Sequence, residues 1–208
     1  MLNMEKRNFN AEMLDEIARI PLNEKPRLLL HCCCGPCATA VIEKLLPHFE
    51  ITLFYYNPNT YPESEYLKRF ETLEKYAVDA GLHVGVIKAG YRPEEYFEAI
   101  KGFEDTSEGG ARCSACIEMR LSATADYAAA NGFGYFASTL SVSPMKNQTV
   151  INEAGFRQEK RTGVKYLVND FKKNDGYKRS VEISKEYGLY RQNYCGCEAS
   201  LKGRLKNG

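Results

Sequence analysis

Short apolar runs alternate with longer amphipathic segments along most of the chain, and this alternation is the strongest constraint on its fold. Five runs are predicted to be strands, at residues 27–31, 51–56, 83–87, 133–138 and 164–168. Helices are predicted between and after them, at residues 37–46, 62–80, 93–100, 113–130, 148–160 and 177–187. Strands that alternate with helices indicate an α/β fold, in which a parallel sheet carries helices on both faces.

The predicted organisation is a single α/β domain over residues 1–208, without internal repeats. Residues 1–26 are predicted to be a helical lead-in, and residues 189–208 a basic, cysteine-containing tail that is irregular or briefly helical. No segment approaches the ~20 consecutive apolar residues of a membrane helix, and the first residues lack the apolar run of a signal peptide. We therefore expect a cytoplasmic protein with no membrane partner.

Charge is distributed unevenly along the chain, although the formal net charge is only +1. Residues 157–208 contain 13 Lys and Arg against 6 Asp and Glu, whereas residues 1–156 contain 15 against 21. A basic C-terminal quarter suggests an anionic partner such as nucleic acid. A solvated surface would have the same composition, so charge alone leaves both alternatives open.

Eight cysteines are many for a chain of this length, and they occur in three groups. In a reducing compartment, clustered cysteines indicate metal binding or redox chemistry more often than structural disulfides. The segment HCCCGPC follows the first predicted strand, a C-x-x-C pair opens a predicted helix, and a C-x-C pair lies in the tail. The three groups are Cys32, Cys33, Cys34 and Cys37; Cys113 and Cys116; and Cys195 and Cys197.

The spacing of the cysteines favours an iron–sulfur cluster over zinc. Structural zinc is often held by two C-x-x-C pairs, whereas the adjacent Cys33 and Cys34 are awkward ligands for one zinc ion and suit the edge of a larger cluster. A four-iron cluster needs four thiolates, and these are available if the first and second groups meet beyond the carboxyl ends of the strands. Cys195 and Cys197 are spaced for a strained, easily reduced disulfide. We interpret them as a redox dithiol in preference to further metal ligands.

Five segments of the chain carry a family resemblance: LLLHCCCGPC, FYYNPNTYPESEYLKR, RCSACIEMR, FASTLSVSPMKN and FKKNDGYKRSVEISKEYGLYRQNYCGC. Together they resemble the cobalamin-independent epoxyqueuosine reductases of the QueH type. The resemblance implies a fold similar to the adenine-nucleotide α-hydrolase-like (HUP) superfamily. It also implies reductive deoxygenation of epoxyqueuosine to queuosine in tRNA, the last step of queuosine biosynthesis. CCCGPC replaces the SGG-x-D-S phosphate loop of related ATP-using enzymes, so we expect neither ATP nor cobalamin.

The resemblance also implies the cofactor and its ligands. A 4Fe-4S cluster would be bound by Cys33, Cys34, Cys113 and Cys116, and Cys195 with Cys197 would form the redox-active pair. Cys32 occupies the variable position of the motif H-x-C-C-x-P-C, which argues against it as a ligand, and the role of Cys37 stays open. The second electron of the reaction is expected from the dithiol. Alternatively, an additional iron beside the cluster would act as a Lewis acid on the epoxide oxygen. The electron donor is not indicated.

Residues near the cysteines and in the basic tail are candidates for binding the tRNA substrate. His31 adjoins the cysteine loop and titrates near neutrality, although a packing role at the strand end is an equal alternative. Lysine and arginine contacts with phosphate would make binding sensitive to salt. The candidates are His31, Asn57, Arg120, Lys146, Lys172, Lys173, Arg179 and Arg191. Two rival functions remain: a tRNA sulfurtransferase, which would require ATP, and a zinc-stabilised RNA-binding module.

Overall fold

The structure is a computed structural model that describes residues 7–206. Its centre is one parallel sheet with the strand order β3-β2-β1-β4-β5. The strands are β1 (Arg27–His31), β2 (Glu50–Tyr55), β3 (Gly85–Lys88), β4 (Tyr135–Ser138) and β5 (Lys165–Tyr166). The predicted α/β fold with a parallel sheet is confirmed, and the architecture is consistent with a HUP-like fold.

Eight α-helices lie within the described part of the chain, and those that were predicted have nearly the predicted bounds. The sequence left the tail undecided between irregular structure and a short helix, and the structure places the last helix there. A 3-10 turn over Thr139–Val142 follows β4. The helices are α1 (Phe9–Ala18), α2 (Gly35–Leu45), α3 (Glu63–Asp79), α4 (Pro93–Ala99), α5 (Ala111–Ala130), α6 (Gln148–Thr162), α7 (Gly176–Glu186) and α8 (Glu198–Lys206).

Both faces of the sheet are buried beneath helices, because successive side chains of a strand point to opposite faces. Leu28 and Leu30 of β1 belong to a core that also contains apolar side chains of α2, α3 and α7. Leu29 belongs to a second core with side chains of α5 and α6. A central strand covered on both faces reads as a continuous apolar run, which explains the sequence RLLLH.

The beginning of α2 is held close to α3. A Cβ atom at Gly35 would lie 2.9 Å from both Cγ2 and the carbonyl oxygen of Thr72, so glycine is needed for this approach. Pro36 occupies the first turn of α2, a position where its missing N–H and fixed φ are favourable. This contact fixes the helix that carries Cys34 at its N-cap and Cys37 in its first turn.

The carboxyl ends of β1, β2 and β4 bring three separate segments together, as the sequence predicts. Asn57 follows β2, and its Nδ2 donates a hydrogen bond to the Cys32 carbonyl oxygen (2.9 Å). The Cys33 N–H donates to Oγ1 of Thr139, which follows β4 (3.5 Å). This edge is where parallel α/β sheets bind their ligands. In the described range, 7–206, no helix has the length and apolar character that crossing a membrane requires.

Candidate active site

The loop after β1 gathers three sulfur atoms into one cluster. The Sγ atoms of Cys33, Cys34 and Cys37 all lie within 4.8 Å of one another, and those of Cys33 and Cys34 are 3.8 Å apart. Cys32 points into the core instead, where it is fully buried and its thiol donates to the Leu30 carbonyl oxygen (3.3 Å). This placement supports the expectation that Cys32 is not a ligand. The other three sulfur atoms form a group that suits a metal ion.

The three clustered thiols differ in their affinity for protons. Hydrogen bonds from Cys34 and Cys37 hold the pKa of Cys33 well below that of an ordinary thiol. Burial, followed by the hydrogen bond to Cys33, raises the pKa of Cys34 to about 12. The hydrogen bonds that Cys37 makes to Cys33 and Cys34 raise its pKa well above the usual value. Metal binding to these cysteines would release the protons that the thiols still hold.

Four further cysteines surround a small cavity at the start of α5. Cys113 and Cys116 lie near the helix N-terminus, as the C-x-x-C spacing predicts, and the tail supplies Cys195 and Cys197. The Gly109 N–H donates to Sγ of Cys113 (3.2 Å), and burial raises the pKa of Cys116 to about 11. The complete lining is Asn59, Tyr96, Arg112, Cys113, Cys116, Arg120, Lys146, Cys195 and Cys197.

Three cations, Arg112, Arg120 and Lys146, line this cavity, whereas none of its lining residues carries a carboxylate. Arg112 is 6% exposed and Arg120 is 3% exposed. Buried cations without anionic partners are strongly destabilising. Cysteine thiolates, or an anionic cluster bound by them, would balance this charge.

Arg120 connects the three cysteine groups. Its Nε donates to the carbonyl oxygen of Cys116, one helical turn earlier (3.2 Å). Burial would lower the pKa of Arg120, but the field of nearby cysteine thiolates outweighs burial and raises it. Those cysteines, in order of effect, are Cys116, Cys195, Cys33 and Cys113. The guanidinium thus lies within electrostatic range of cysteines from all three groups.

The tail is docked on the site through side chains that sequence analysis did not single out. Gln192 donates from Nε2 to Sγ of Cys34 (2.9 Å). Arg69 of α3 donates to the carbonyl oxygens of Cys195 (3.0 Å) and Tyr194 (3.3 Å). Arg69 and Gln192 lie inside the recognised segments, but sequence spacing gives no distance between segments so far apart in the chain.

Two predicted substrate-binding residues are buried in the framework of the site. The Nε2–H of His31 donates to the Tyr56 carbonyl oxygen (3.0 Å), so its Nδ1 accepts from the Ser138 hydroxyl (2.9 Å). Burial lowers the pKa of His31 to about 4, and the ring is neutral at physiological pH. Asn57 is 1% exposed and fastens the cysteine loop. For both residues, this geometry favours a structural role.

The predicted phosphate-binding cations fall into three classes. Three of them are already engaged within the protein: Lys172 with Gln148, Arg179 with Glu43, and Arg191 with Ser184. Lys173 is exposed, and its ammonium group has no hydrogen bond or ion pair among the residues that the structure describes. Arg120 and Lys146 line the cysteine cavity instead of the outer surface. Lys173 is therefore the predicted cation that is most available to a phosphate group.

Comparison with known proteins gives a consistent result over most of the chain. The family model described as "Epoxyqueuosine reductase QueH" matches residues 28–203. The protein of that name from Staphylococcus epidermidis is 43% identical over 180 residues, which is 84% of this chain and 76% of the relative. The Streptococcus pyogenes protein is 40% identical over 204 residues (95% and 80%). The Thermotoga maritima protein is 39% identical over 180 residues (85% and 91%).

Proposed function

Because this chain belongs to the epoxyqueuosine reductase QueH family, we propose that it reduces epoxyqueuosine in tRNA to queuosine. The family assignment makes it a tRNA-modifying oxidoreductase. The reaction removes the epoxide oxygen from the cyclopentane ring and leaves a cyclopentene. It consumes two electrons and two protons and releases water, so the site must hold or conduct electrons.

The proposed cofactor is a 4Fe-4S cluster bound by Cys33, Cys34, Cys113 and Cys116. The loop after β1 and the start of α5 would each supply two thiols to this donor set. The cations around the cavity fit the negative charge of a thiolate-bound cluster. When bound, such a cluster supplies low-potential electrons. Cys37, which lies beside Cys33 and Cys34, would remain for an additional iron.

Cys195 and Cys197 are proposed to be the redox-active pair. As a dithiol they hold two electrons, which leave when a disulfide forms. Both cysteines line the cavity that also contains Cys113 and Cys116, so the pair is placed to exchange electrons with a cluster and a substrate at the same rim. The backbone of the pair is fixed by Arg69, which keeps the two sulfur atoms at the site.

The proposed partner is tRNA that carries epoxyqueuosine. The exposed cations of the C-terminal quarter, of which Lys173 is one, would contact phosphates at the rim of the site and give a salt-dependent affinity. An electron donor must return the enzyme to its reduced state after each turnover.

The observation that carries this proposal is the cavity at the start of α5, where Cys113 and Cys116 lie beside Cys195 and Cys197 of the tail. Sulfur atoms from distant parts of the sequence thus line one cavity together with three cations. A zinc-binding module would need no such redox pair, and a sulfurtransferase would need a phosphate loop at the segment where CCCGPC stands.

The test is mass analysis of nucleosides after anaerobic incubation of epoxyqueuosine-containing tRNA with the reduced protein. We expect the nucleoside to lose one oxygen. Cys113→Ala should abolish this loss and lower the iron content. Cys32→Ala is the matched control, because that thiol faces the core, and it should retain both iron and activity.

Two outcomes would contradict the proposal. If iron-loaded wild-type protein left the nucleoside unchanged, the proposed activity would be wrong. If the Cys113→Ala and Cys32→Ala proteins contained equal amounts of iron, the proposed ligand set would be wrong.

A further inference from the structure

The two cysteines of the C-x-C pair have different surroundings. Nζ of Lys146 lies 2.9 Å from Sγ of Cys195, which is a hydrogen-bonding distance. Cys195 is half-buried, whereas Cys197 is 6% exposed. Cys197 packs in a small apolar cluster with Tyr96 and Ile100. The cation therefore contacts only one of two sulfur atoms that are adjacent in the motif.

Lys146 is held in this position by its own loop. Nζ of Lys172 donates to the carbonyl oxygen of Lys146 (3.3 Å) and to Oε1 of Gln148 (2.8 Å). Among the described residues, no carboxylate lies within ion-pair distance of Lys146. Burial would lower its pKa, but the Cys195 thiolate outweighs burial and raises it. A thiolate at Cys195 is thus the nearest anion available to this ammonium group.

We propose that Lys146 is the charge partner of Cys195: its ammonium group, 2.9 Å from the sulfur, stabilises negative charge there and makes Cys195 the reactive member of the redox pair. Cys197 is then the partner whose thiol closes the disulfide. This inference rests on the proposed redox role of the pair, and it makes Lys146 a positioning residue rather than the substrate contact expected from the sequence. Ion pairs between ammonium and thiolate groups are an established way to activate cysteine.

This assignment determines where the protons and electrons go when the disulfide forms. When the Cys195 thiolate bonds to the sulfur of Cys197, the thiol hydrogen of Cys197 leaves as a proton and two electrons go to the acceptor. The epoxide takes up those two electrons and two protons, so the second proton comes from solvent or another group at the rim. Oxidation also removes the negative charge beside Lys146. The ion pair therefore stabilises the reduced pair and raises its reduction potential.

The test compares four substitutions in anaerobically reduced protein. Lys146→Met and Lys146→Gln remove the charge, Lys146→Arg keeps it, and Lys178→Met removes an exposed lysine elsewhere in the chain. Alkylation of Cys195 by iodoacetamide at neutral pH is followed by peptide mass spectrometry. We expect it to slow about tenfold in the two neutral variants, as for the loss of one charge-assisted hydrogen bond. It should be nearly unchanged in the Arg and Lys178 variants.

A second measurement follows the dithiol–disulfide equilibrium against glutathione. The neutral variants should favour the disulfide about tenfold more than wild type, equivalent to a potential about 30 mV more negative. A third measurement needs no variant: acetic anhydride should modify Lys146 faster in the oxidised protein than in the reduced protein, whereas Lys178 should react equally in both.

The outcomes separate this inference from the proposed function. Wild-type alkylation rates and an unchanged equilibrium in both neutral variants, with equal acetylation of Lys146 in the two redox states, would overturn the pairing of Lys146 with Cys195. If wild-type protein formed no Cys195–Cys197 disulfide at all, the proposed redox pair itself would be wrong.

Discussion

Arg69 donates from Nη1 to the carbonyl oxygen of Cys195 across 3.0 Å, which ties helix α3 to the turn that contains both tail cysteines. The same guanidinium donates to the carbonyl oxygen of Tyr194 (3.3 Å) and forms an ion pair with Glu65 (2.7 Å). Its side chain is only 2% exposed. A single buried cation therefore fixes the backbone of the proposed redox pair, although it contributes no reacting atom.

Replacing this cation should cost substantial stability. Arg69→Gln removes one partner of a buried ion pair and leaves carbonyl oxygens without donors, so the free energy of unfolding should fall by about 3 kcal/mol. Urea denaturation measures this change. Arg92→Gln is the control, because Arg92 forms an exposed ion pair with Glu95 (2.9 Å); its effect should stay below about 1 kcal/mol. Equal decreases in the free energy of unfolding of the two variants would show that the buried contacts of Arg69 contribute no more than an exposed ion pair.

Gly196 should tolerate no side chain. Its φ of +129° is rarely adopted by other residues, and a Cβ atom would lie 2.9 Å from Nη1 of Arg69. Gly196→Ala should displace the turn, destabilise the protein by about 1–3 kcal/mol, and lower the rate of disulfide formation between Cys195 and Cys197. Gly203→Ala in α8 meets no neighbouring atom within 4 Å and should leave both quantities unchanged or slightly improved. Normal disulfide formation in the Gly196 variant would contradict the close packing described here.

Binding of tRNA should depend on salt through exposed cations rather than through those already paired. Lys173→Met should weaken binding and reduce by about one the slope of log affinity against log salt concentration, as measured by filter binding or fluorescence anisotropy. Arg179→Met is the contrasting variant, because the guanidinium of Arg179 forms an ion pair with Glu43 (2.7 Å). We expect its salt slope to remain that of wild type. If the Lys173 variant kept the wild-type slope and the contrasting variant lost part of it, the RNA would have to bind a different surface.

Glu16, a carboxylate far from the site, should contribute to the pH dependence of the free energy of unfolding. Glu16 of α1 accepts from Tyr135 of β4 (2.7 Å) and pairs with Lys165 of β5 (2.5 Å). Burial would raise its pKa, but the bonds to Lys165 and Tyr135 outweigh burial and lower it. Since the folded-state pKa lies below the unfolded value, this stabilisation is complete above the unfolded pKa and disappears as pH falls through the folded one.

Glu16→Gln should therefore lower the free energy of unfolding by about 1 kcal/mol near neutral pH, since Lys165 is partly solvated. The difference from wild type should vanish below both pKa values. Urea denaturation at about pH 7 and about pH 3 checks this. Glu98→Gln, an exposed substitution, should leave both curves unchanged. A deficit of the same size at both pH values would mean that packing, not charge, explains the loss.

The sequence predicts the helices and strands well, because two-sided burial and helical periodicity leave clear patterns in the amino acids. The largest difference is at β5, predicted over residues 164–168 but paired as a strand only at Lys165–Tyr166. Leu167 still donates its N–H to the carbonyl oxygen of Phe136 in β4 (2.9 Å), but at Asn169 both the N–H and the carbonyl oxygen are bonded to the side-chain amide of Asn152. An amide from α6 thus replaces the neighbouring strand as the hydrogen-bonding partner.

The site is predicted less completely, because its chemistry depends on distances that sequence spacing does not contain. The cysteine groups could be found, and parallel topology correctly predicts that the first group lies at the carboxyl edge of the sheet. The burial of His31 could not be predicted, because a histidine at the end of a strand is equally compatible with a packing role in the core and with a role in the site. The role of Lys146 depends on a contact with Cys195, 49 residues away in the chain. Counting charges along the tail likewise does not reveal that Arg179 is already bonded to Glu43.

The docking of residues 190–197 against Asn59, Arg69 and the cysteine loop has a consequence for biosynthesis of the chain. Every strand of the sheet, and the first two cysteine groups, leave the ribosome before the C-x-C pair does. The nascent chain therefore contains all four proposed cluster ligands before the proposed redox pair is synthesised. A cluster bound by those ligands would meet the pair only when this late segment docks.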